Sequence, residues 1–402
     1  MSKKHILVIS QYFYPEQFRI NDICQEWVKR GYQVTVLTGI PNYPEGKFYS
    51  GYGYTKKRKE RWNGIDIIRI PLVPRGKGSV GMILNYLSFV FSGFLWTCFT
   101  KIKADYVFTY EVSPMTQALV GVWYSKKHKI PNYLYVLDLW PENVEWITGI
   151  HSPFFIGPIE RMVCYIYQNC TDIFAASSSF IETICGRNIS REKVHYWPQY
   201  AEDFYKPVSK ESAYKIPGLL KDSFKIVFTG NIGYAQGLDI LPKTAERLKG
   251  YNVQFVIVGD GRYKNKLIEE VIEKKVFDKF VFMPSQQPEM IPRILATCDV
   301  AFVSFSDMEI FKMTIPAKVQ SYMACGMPIL ASVKGETEKI IKEAECGHVI
   351  DIGDDEQLAE IIQKYMSISR ENIWKNGINA KKYQDTFFNK KILMDKMDQY
   401  FL

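Results

Sequence analysis

A chain of 402 residues exceeds what one ordinary hydrophobic core holds, so two domains of about 200 residues each are expected. Its 47% hydrophobic and 15% aromatic content exclude a disordered or low-complexity protein. The net charge of +8 falls in the first half, where residues 1–200 carry 23 basic and 15 acidic side chains and residues 201–402 carry 28 of each. That asymmetry suits an anionic partner for the first half, nucleic acid or an anionic membrane surface. The eight cysteines form no C-x-x-C pair, so neither a zinc site nor a disulfide framework is indicated. With no signal peptide before Ile6, free thiols predict a cytosolic protein.

In chain order, the apolar run 6–10 predicts a buried strand, followed by a loop over 11–19. A helix is expected from Asn21, with Ile23, Cys24, Trp27 and Val28 on one face and Gly31 as its stop. Residues 33–38 predict the next strand and 39–46 a Pro/Gly-rich loop. Residues 56–61 are a basic run ahead of a short strand at 65–70. Further strands are expected at 107–109 and 133–137, and residues 172–178 read as a strand leading into a serine run. Strands alternating with helices imply a parallel sheet, whose ligands bind at the carboxyl ends of the strands. The loops 11–19, 39–46, 110–114 and 138–142 therefore form one rim, and offer Tyr14, Arg19, Asn42 and Glu111 as rim candidates for a ligand. Asp138 directly follows a buried strand, where a carboxylate can meet a ligand, and Glu142 lies on the same loop. His151 and His195 have no metal-ligand spacing and are expected to be structural.

Residues 197–207 are extended and proline-punctuated, a natural linker. The second half repeats the alternation, with strands at 226–228, 254–258, 280–282 and 300–303. Thr229-Gly-Asn-Ile-Gly233 breaks the first of these ahead of a helical pattern, giving strand, glycine turn and helix. Such a turn lets an anion approach backbone N–H groups. An amphipathic helix over 387–402 closes the chain.

Gln11-Tyr-Phe-Tyr-Pro-Glu16, Leu37-Thr-Gly-Ile-Pro-Asn-Tyr-Pro-Glu-Gly46, Asp138-Leu-Trp-Pro-Glu142, Thr229-Gly-Asn-Ile-Gly233, Gly259-Asp-Gly261, Pro316-Ala-Lys318 and Ala324-Cys-Gly-Met-Pro-Ile329 occur in an order that resembles one family. It is that of the GT-B fold glycosyltransferases, in particular the retaining family 4 enzymes of capsule and O-antigen assembly and their aminosugar transferases. The resemblance covers essentially the whole chain. It implies an α/β architecture of two facing Rossmann-like domains with a central cleft. An acceptor domain would cover 1–205, with the helix 387–402 packing back on it, and a nucleotide-sugar domain 206–386. It implies Gly230, Asn231 and Gly233 at the diphosphate or sugar, Val258, Gly259, Met283 and Pro284 near the base, and Pro316 and Ser321 on the donor side. Lys318 would neutralise leaving-group charge, while Asp138 and Glu142 would face sugar and acceptor. The implied substrates are a UDP-sugar and a lipid-linked saccharide, with no cofactor, no metal and no nucleic acid.

The sequence departs from the family where relatives carry two glutamates eight positions apart, which here are Met313 and Ser321. It departs also at Ala235 and Gln236, in place of Arg and Lys, and at Leu137, in place of His. Two other readings compete. A UDP-sugar epimerase on the same fold would need clustered histidines, and the five here are scattered. The third reading is a non-catalytic binding homologue.

Residues 81–100 carry no charge and as a helix would be about 30 Å long. Arg75 and Lys77 flank one end, Lys101 and Lys103 the other. The strands on either side belong to one sheet, so a membrane span is rejected. Asn85, Ser88 and Ser92 form a polar stripe on an otherwise apolar helix. Interfacial insertion is expected, holding the chain peripherally on the cytoplasmic side of an anionic membrane.

Overall fold

The computed structural model describes residues 3–76 and 78–401. Lys77 and the last residue of the expected 387–402 helix lie outside them. The chain divides into one unit of residues 1–197 and 400–402 and a second of residues 198–399. The division falls after Trp197, ahead of the 205/206 boundary that the sequence suggests. The proline-rich stretch is no free linker: Tyr200 and Ala201 are buried, and Asp203 is bonded to Lys390 at 2.9 Å within the second unit.

The first unit has strands β1 (His5–Ile9), β2 (Gln33–Gly39), β3 (Lys59–Trp62), β4 (Ile65–Ile70), β5 (Tyr106–Glu111), β6 (Asn132–Val136), β7 (Asp172–Ala175) and β8 (Val194–Tyr196). They form one sheet in the order β3-β4-β2-β1-β5-β6-β7-β8, parallel except for the β3–β4 hairpin. Its central strands are buried apolar runs, as a sheet covered on both faces requires. The helices are α1 (Arg19–Lys29), α2 (Ser79–Phe99), α3 (Ala118–His128), α4 (Glu142–Thr148), α5 (Pro153–Gln168) and α6 (Ser178–Cys185). Right-handed crossovers put α1 on one face and α2, α3, α5 and α6 on the other, where α3 packs against both α2 and α5.

The second unit has β9 (Phe224–Thr229), β10 (Val253–Val258), β11 (Phe280–Met283), β12 (Val300–Ser304), β13 (Ile329–Ser332) and β14 (Gly347–Ile350). All are parallel, in the order β11-β10-β9-β12-β13-β14. Its helices are α7 (Ile240–Arg247), α8 (Lys264–Glu273), α9 (Ile291–Leu295), α10 (Glu309–Lys312), α11 (Ala317–Ala324), α12 (Glu336–Glu343), α13 (Asp355–Ser367), α14 (Arg370–Phe387) and α15 (Lys390–Asp398). Each sheet reverses its strand order beside its first strand, which opens a crevice at the carboxyl ends of β1/β5 and of β9/β12.

The C-terminal segment is not one helix over 387–402. It breaks at Phe388, and Asn389 caps α15 by accepting from the Ile392 amide at 3.1 Å. The residues after α15 pack on the first sheet. There the Tyr106 and Tyr133 hydroxyls donate to the Phe401 and Tyr400 carbonyls at 2.7 and 2.6 Å.

Candidate active site

In the second unit, the loops after β9 and β10 run on in register beyond the sheet. Gly230 N donates to Val258 O at 2.9 Å, Ile232 N to Asp260 O at 2.8 Å and Gly259 N to Met283 O at 3.1 Å. This close approach explains two glycines. A Cβ on Gly259, at φ +147°, would lie 1.9 Å from Gly230 O, and one on Gly261 would lie 2.2 Å from Ile232 O. Gly233 N in turn donates to Gln236 Oε1 at 3.0 Å. The sequence offers the Gly230 and Gly233 amides to an anion, but in the structure both are bonded within the unit. What remains open on this loop is the exposed, side-chain-free face of Gly230, with Asn231 exposed beside it.

Lys318, in the first turn of α11, reaches over that face. Its Nζ lies 3.7 Å from the centroid of the Phe228 ring, and a Cβ on Gly230 would lie 3.6 Å from it. Among the described residues it has no carboxylate partner, and burial pushes its amine down to about 7. The Tyr322 hydroxyl, one turn later, accepts from Thr229 N at 2.8 Å and so ties α11 to the end of β9. Pro316 precedes the first turn of α11. Ser321 is turned inward, its Oγ donating to Ala317 O at 3.1 Å. Val258 and Met283 are buried, and Pro284, just after β11, is exposed. A cation the sequence does not single out stands next to this loop: Lys264 Nζ donates to Gly259 O at 3.0 Å. Its position opening the helix after Gly259-Asp-Gly261 is the signal that could have found it. Glu309 is exposed and paired with Lys312.

In the first unit the rim loops do converge at the carboxyl ends of β1, β2, β5 and β6. Glu16 binds two of them together: its Oε1 accepts from the Asn42 and Tyr43 amides at 2.8 and 2.7 Å. Asn42 is itself buried, its Oδ1 accepting from Arg75 N at 3.0 Å. Tyr14 stacks on Trp62 with ring centroids 4.2 Å apart, and Arg19 opens α1. Asp138 is the half-exposed carboxylate of the rim, with Oδ2 accepting from Ser113 N at 2.7 Å. Beneath it Glu111 is fully buried, and its Oε2 accepts from Asp138 N at 3.4 Å. Burial, reinforced by the Asp138 charge, raises the Glu111 carboxyl well above the usual carboxylate range. Glu142 is drawn elsewhere: Arg187 bonds it at 2.7 Å and holds Glu160 at 2.9 Å. His195 bonds Asp172 at 2.7 Å, a structural contact.

Two parallel-sheet units of this kind, each with its crevice at the strand carboxyl ends, define the GT-B fold. Among solved structures the chain is similar to the sucrose-phosphate synthase of Thermosynechococcus elongatus, with TM-score 0.73 and 15% identity over 99% of this chain and 98% of that one. It is similar also to Anabaena Alr3699/HepE, solved in complex with UDP, with TM-score 0.70 and 14% identity over 100% and 99%. Residues 209–380 match the family Glycosyl transferases group 1. A protein of Escherichia coli strain K12 named as a colanic acid biosynthesis glycosyl transferase, WcaI, is 24% identical over 329 residues, 78% of each chain. The second unit is thus a glycosyl transferases group 1 domain, and the chain is a glycosyltransferase.

Proposed function

We propose that this glycosyltransferase moves a sugar, an N-acetylated aminosugar, from a UDP-sugar to a polyprenyl-diphosphate-linked saccharide in bacterial surface polysaccharide assembly. The observation that carries the donor side is Lys318, a cation with no carboxylate partner among the described residues, poised over the open face of Gly230. A nucleoside diphosphate placed there would supply the missing counter-charge, and its leaving-group charge would be steadied as it develops. UDP in the HepE structure and the colanic acid role in the name of WcaI support the donor and the pathway class. Asp138, the half-exposed carboxylate of the other unit, faces the acceptor in this reading. Lys318 and the loop do the work of a metal, and the sugar keeps its anomeric configuration. The enzyme acts from the cytoplasmic side on a lipid-linked substrate, against an anionic membrane surface.

The test is a panel of UDP- and GDP-sugars with and without polyprenyl diphosphate saccharides, with products read by mass spectrometry and anomeric NMR. Transfer from one UDP-sugar, with retention and unaffected by a chelator, is expected. UDP-sugar binding without transfer to any acceptor would favour a non-catalytic homologue, and isomerisation of the donor an epimerase.

A further inference from the structure

Helix α2 carries its polarity the wrong way round for a soluble protein. Its 21 residues are long and apolar enough to cross a membrane, yet only 22% of its most apolar window is buried. It buries the polar or small Asn85, Gly93 and Thr97 together with only two large side chains, Tyr86 and Phe89. Asn85 Oδ1 accepts from Gln11 Nε2 at 2.6 Å, and its Nδ2 donates to Val73 O at 2.6 Å. A Cβ on Gly93 would lie 2.4 Å from Val120 Cγ2, so α2 and α3 touch closely there. The outward face is Ile83, Leu87, Phe91, Phe94 and Phe99, with Phe91 65% and Phe99 81% exposed.

The same helix layer has a second apolar point. Helix α5 begins with Phe154 and Phe155, 81% and 59% exposed. Helices α2, α3 and α5 cover one sheet face and run against the strands, so α5 starts at the carboxyl edge where Asp138 sits. Helices α2 and α3 end at the opposite edge, where Lys101, Lys103 and Lys129 are exposed. Between residues 71 and 131 the acidic residues are Asp105 and the buried Glu111.

We infer that the outer face of α2 and the Phe154–Phe155 tip of α5 form one two-point membrane footprint, seated on an anionic phospholipid surface. The footprint names how the lipid surface assigned above is met, and so rests on that assignment. A span is ruled out, because β4 before α2 and β5 after it belong to one sheet. A second copy is disfavoured by charge, since this surface would offer the partner's lysines few acidic groups, Asp105 and the buried Glu111 being the acids between residues 71 and 131. Lipid supplies both an apolar phase for the phenylalanines and anionic headgroups for the lysines. With the α5 tip inserted, the Asp138 edge of the sheet is held against the headgroups, where the sugar of a lipid-linked acceptor would stand.

The experiment is flotation of the whole chain with vesicles of phosphatidylcholine, alone or mixed with phosphatidylglycerol. Binding should need the anionic lipid and weaken as salt rises. The double substitutions Leu87→Ser with Phe91→Ser and Phe154→Ser with Phe155→Ser alter exposed side chains and should leave thermal unfolding unchanged. Each should weaken binding about tenfold or more, given the transfer free energy of two large apolar groups. Wild-type binding by the α5 variant would confine the footprint to α2 and overturn the inference. So would wild-type protein that stays soluble on anionic vesicles, or a dimer in solution that the α2 variant dissociates. Transfer to a water-soluble acceptor analogue separates the two claims: activity without vesicle binding sinks only the footprint, and vesicle binding without transfer sinks only the assigned reaction.

Discussion

The amine of Lys318 lies 3.7 Å from the centroid of the Phe228 ring, one residue from the loop where β9 ends. A cation over an aromatic face is partly compensated by the ring quadrupole but keeps its need for a counter-ion. Burial alone brings it down to about 7. The sign follows. Between that value and the ordinary lysine range the unfolded chain binds a proton that the folded chain lacks, so stability rises with pH through this window and is flat below it. An arriving diphosphate favours the charged amine, so binding takes up a proton. UDP affinity measured by calorimetry should therefore fall as pH rises above about 7, and Lys318→Met should flatten that dependence. Lys318→Ala should lower turnover by roughly 10²-fold or more. Equal slopes in wild type and Lys318→Met would remove Lys318 from the diphosphate.

Gly259 is predicted to be among the least tolerant positions of the second unit. Its left-handed φ of +147° and the 1.9 Å approach of a Cβ to Gly230 O leave no room for a side chain against backbone. Gly259→Ala should cost about 3 kcal/mol or more in denaturant unfolding. Gly233→Ala should be milder, because the Cβ would meet the ends of the Asn231 and Gln236 side chains at 3.0 Å. A Gly259→Ala protein as stable as wild type would mean that the two loops are not zipped together.

Glu111 and Asp138 are expected to separate by role. Burial, with the Asp138 charge, raises the Glu111 carboxyl and favours its protonated form, so its contribution to stability is full below the ordinary carboxylate range and is lost as pH rises through its raised value. Glu111→Gln removes that titration and keeps the shape. The variant should gain on wild type with rising pH and be at least as stable when neutral. Asp138→Asn should impair turnover and leave UDP affinity alone, since the proposed function puts UDP at Lys318 and Gly230 in the second unit. Calorimetry and steady-state rates on the two variants check both statements. A collapse of UDP affinity in Asp138→Asn would reassign that residue.

Much of the frame was legible because parallel strands buried on both faces are continuous apolar runs, as in Ile6-Leu-Val-Ile9 and Gln254-Phe-Val-Ile-Val258. The hairpin β3–β4 was not, although its turn Asn63-Gly64 is a strong local signal, with both residues at positive φ. Charge masked it: an edge strand of Lys59-Glu-Arg-Trp62 looks like a basic run, which is how edges avoid unwanted pairing. Partners distant in sequence were out of reach. Nothing near Gly230 tells that its carbonyl packs on Gly259, and nothing near Glu142 points to Arg187, 45 residues on. The inverted polarity of α2 was half legible: Asn85, Ser88 and Ser92 marked the stripe, but only the contacts with Gln11 and Val73 show that Asn85 and Ser88 face inward.

The clamp on Glu142 tests whether that residue meets substrate or supports the fold. Arg187 is only 10% exposed and holds Glu142 at 2.7 Å and Glu160 at 2.9 Å, tying α4 and α5 to the end of α6. Removing one partner of such a pair leaves an uncompensated, largely buried charge, which costs more than the pair is worth. Arg187→Met should therefore destabilise the first unit by about 2–4 kcal/mol, because it strands two carboxylates. Glu142→Gln should cost less, since Glu160 still compensates Arg187. The double variant should cost less than the sum of the singles, with a coupling of about 1 kcal/mol or more in denaturant unfolding. If Glu142 acts only through this clamp, Glu142→Gln should leave KM for the acceptor and kcat nearly unchanged in the fraction that stays folded. Additive stabilities together with a large fall in kcat would return Glu142 to the substrate and leave Arg187 as its support.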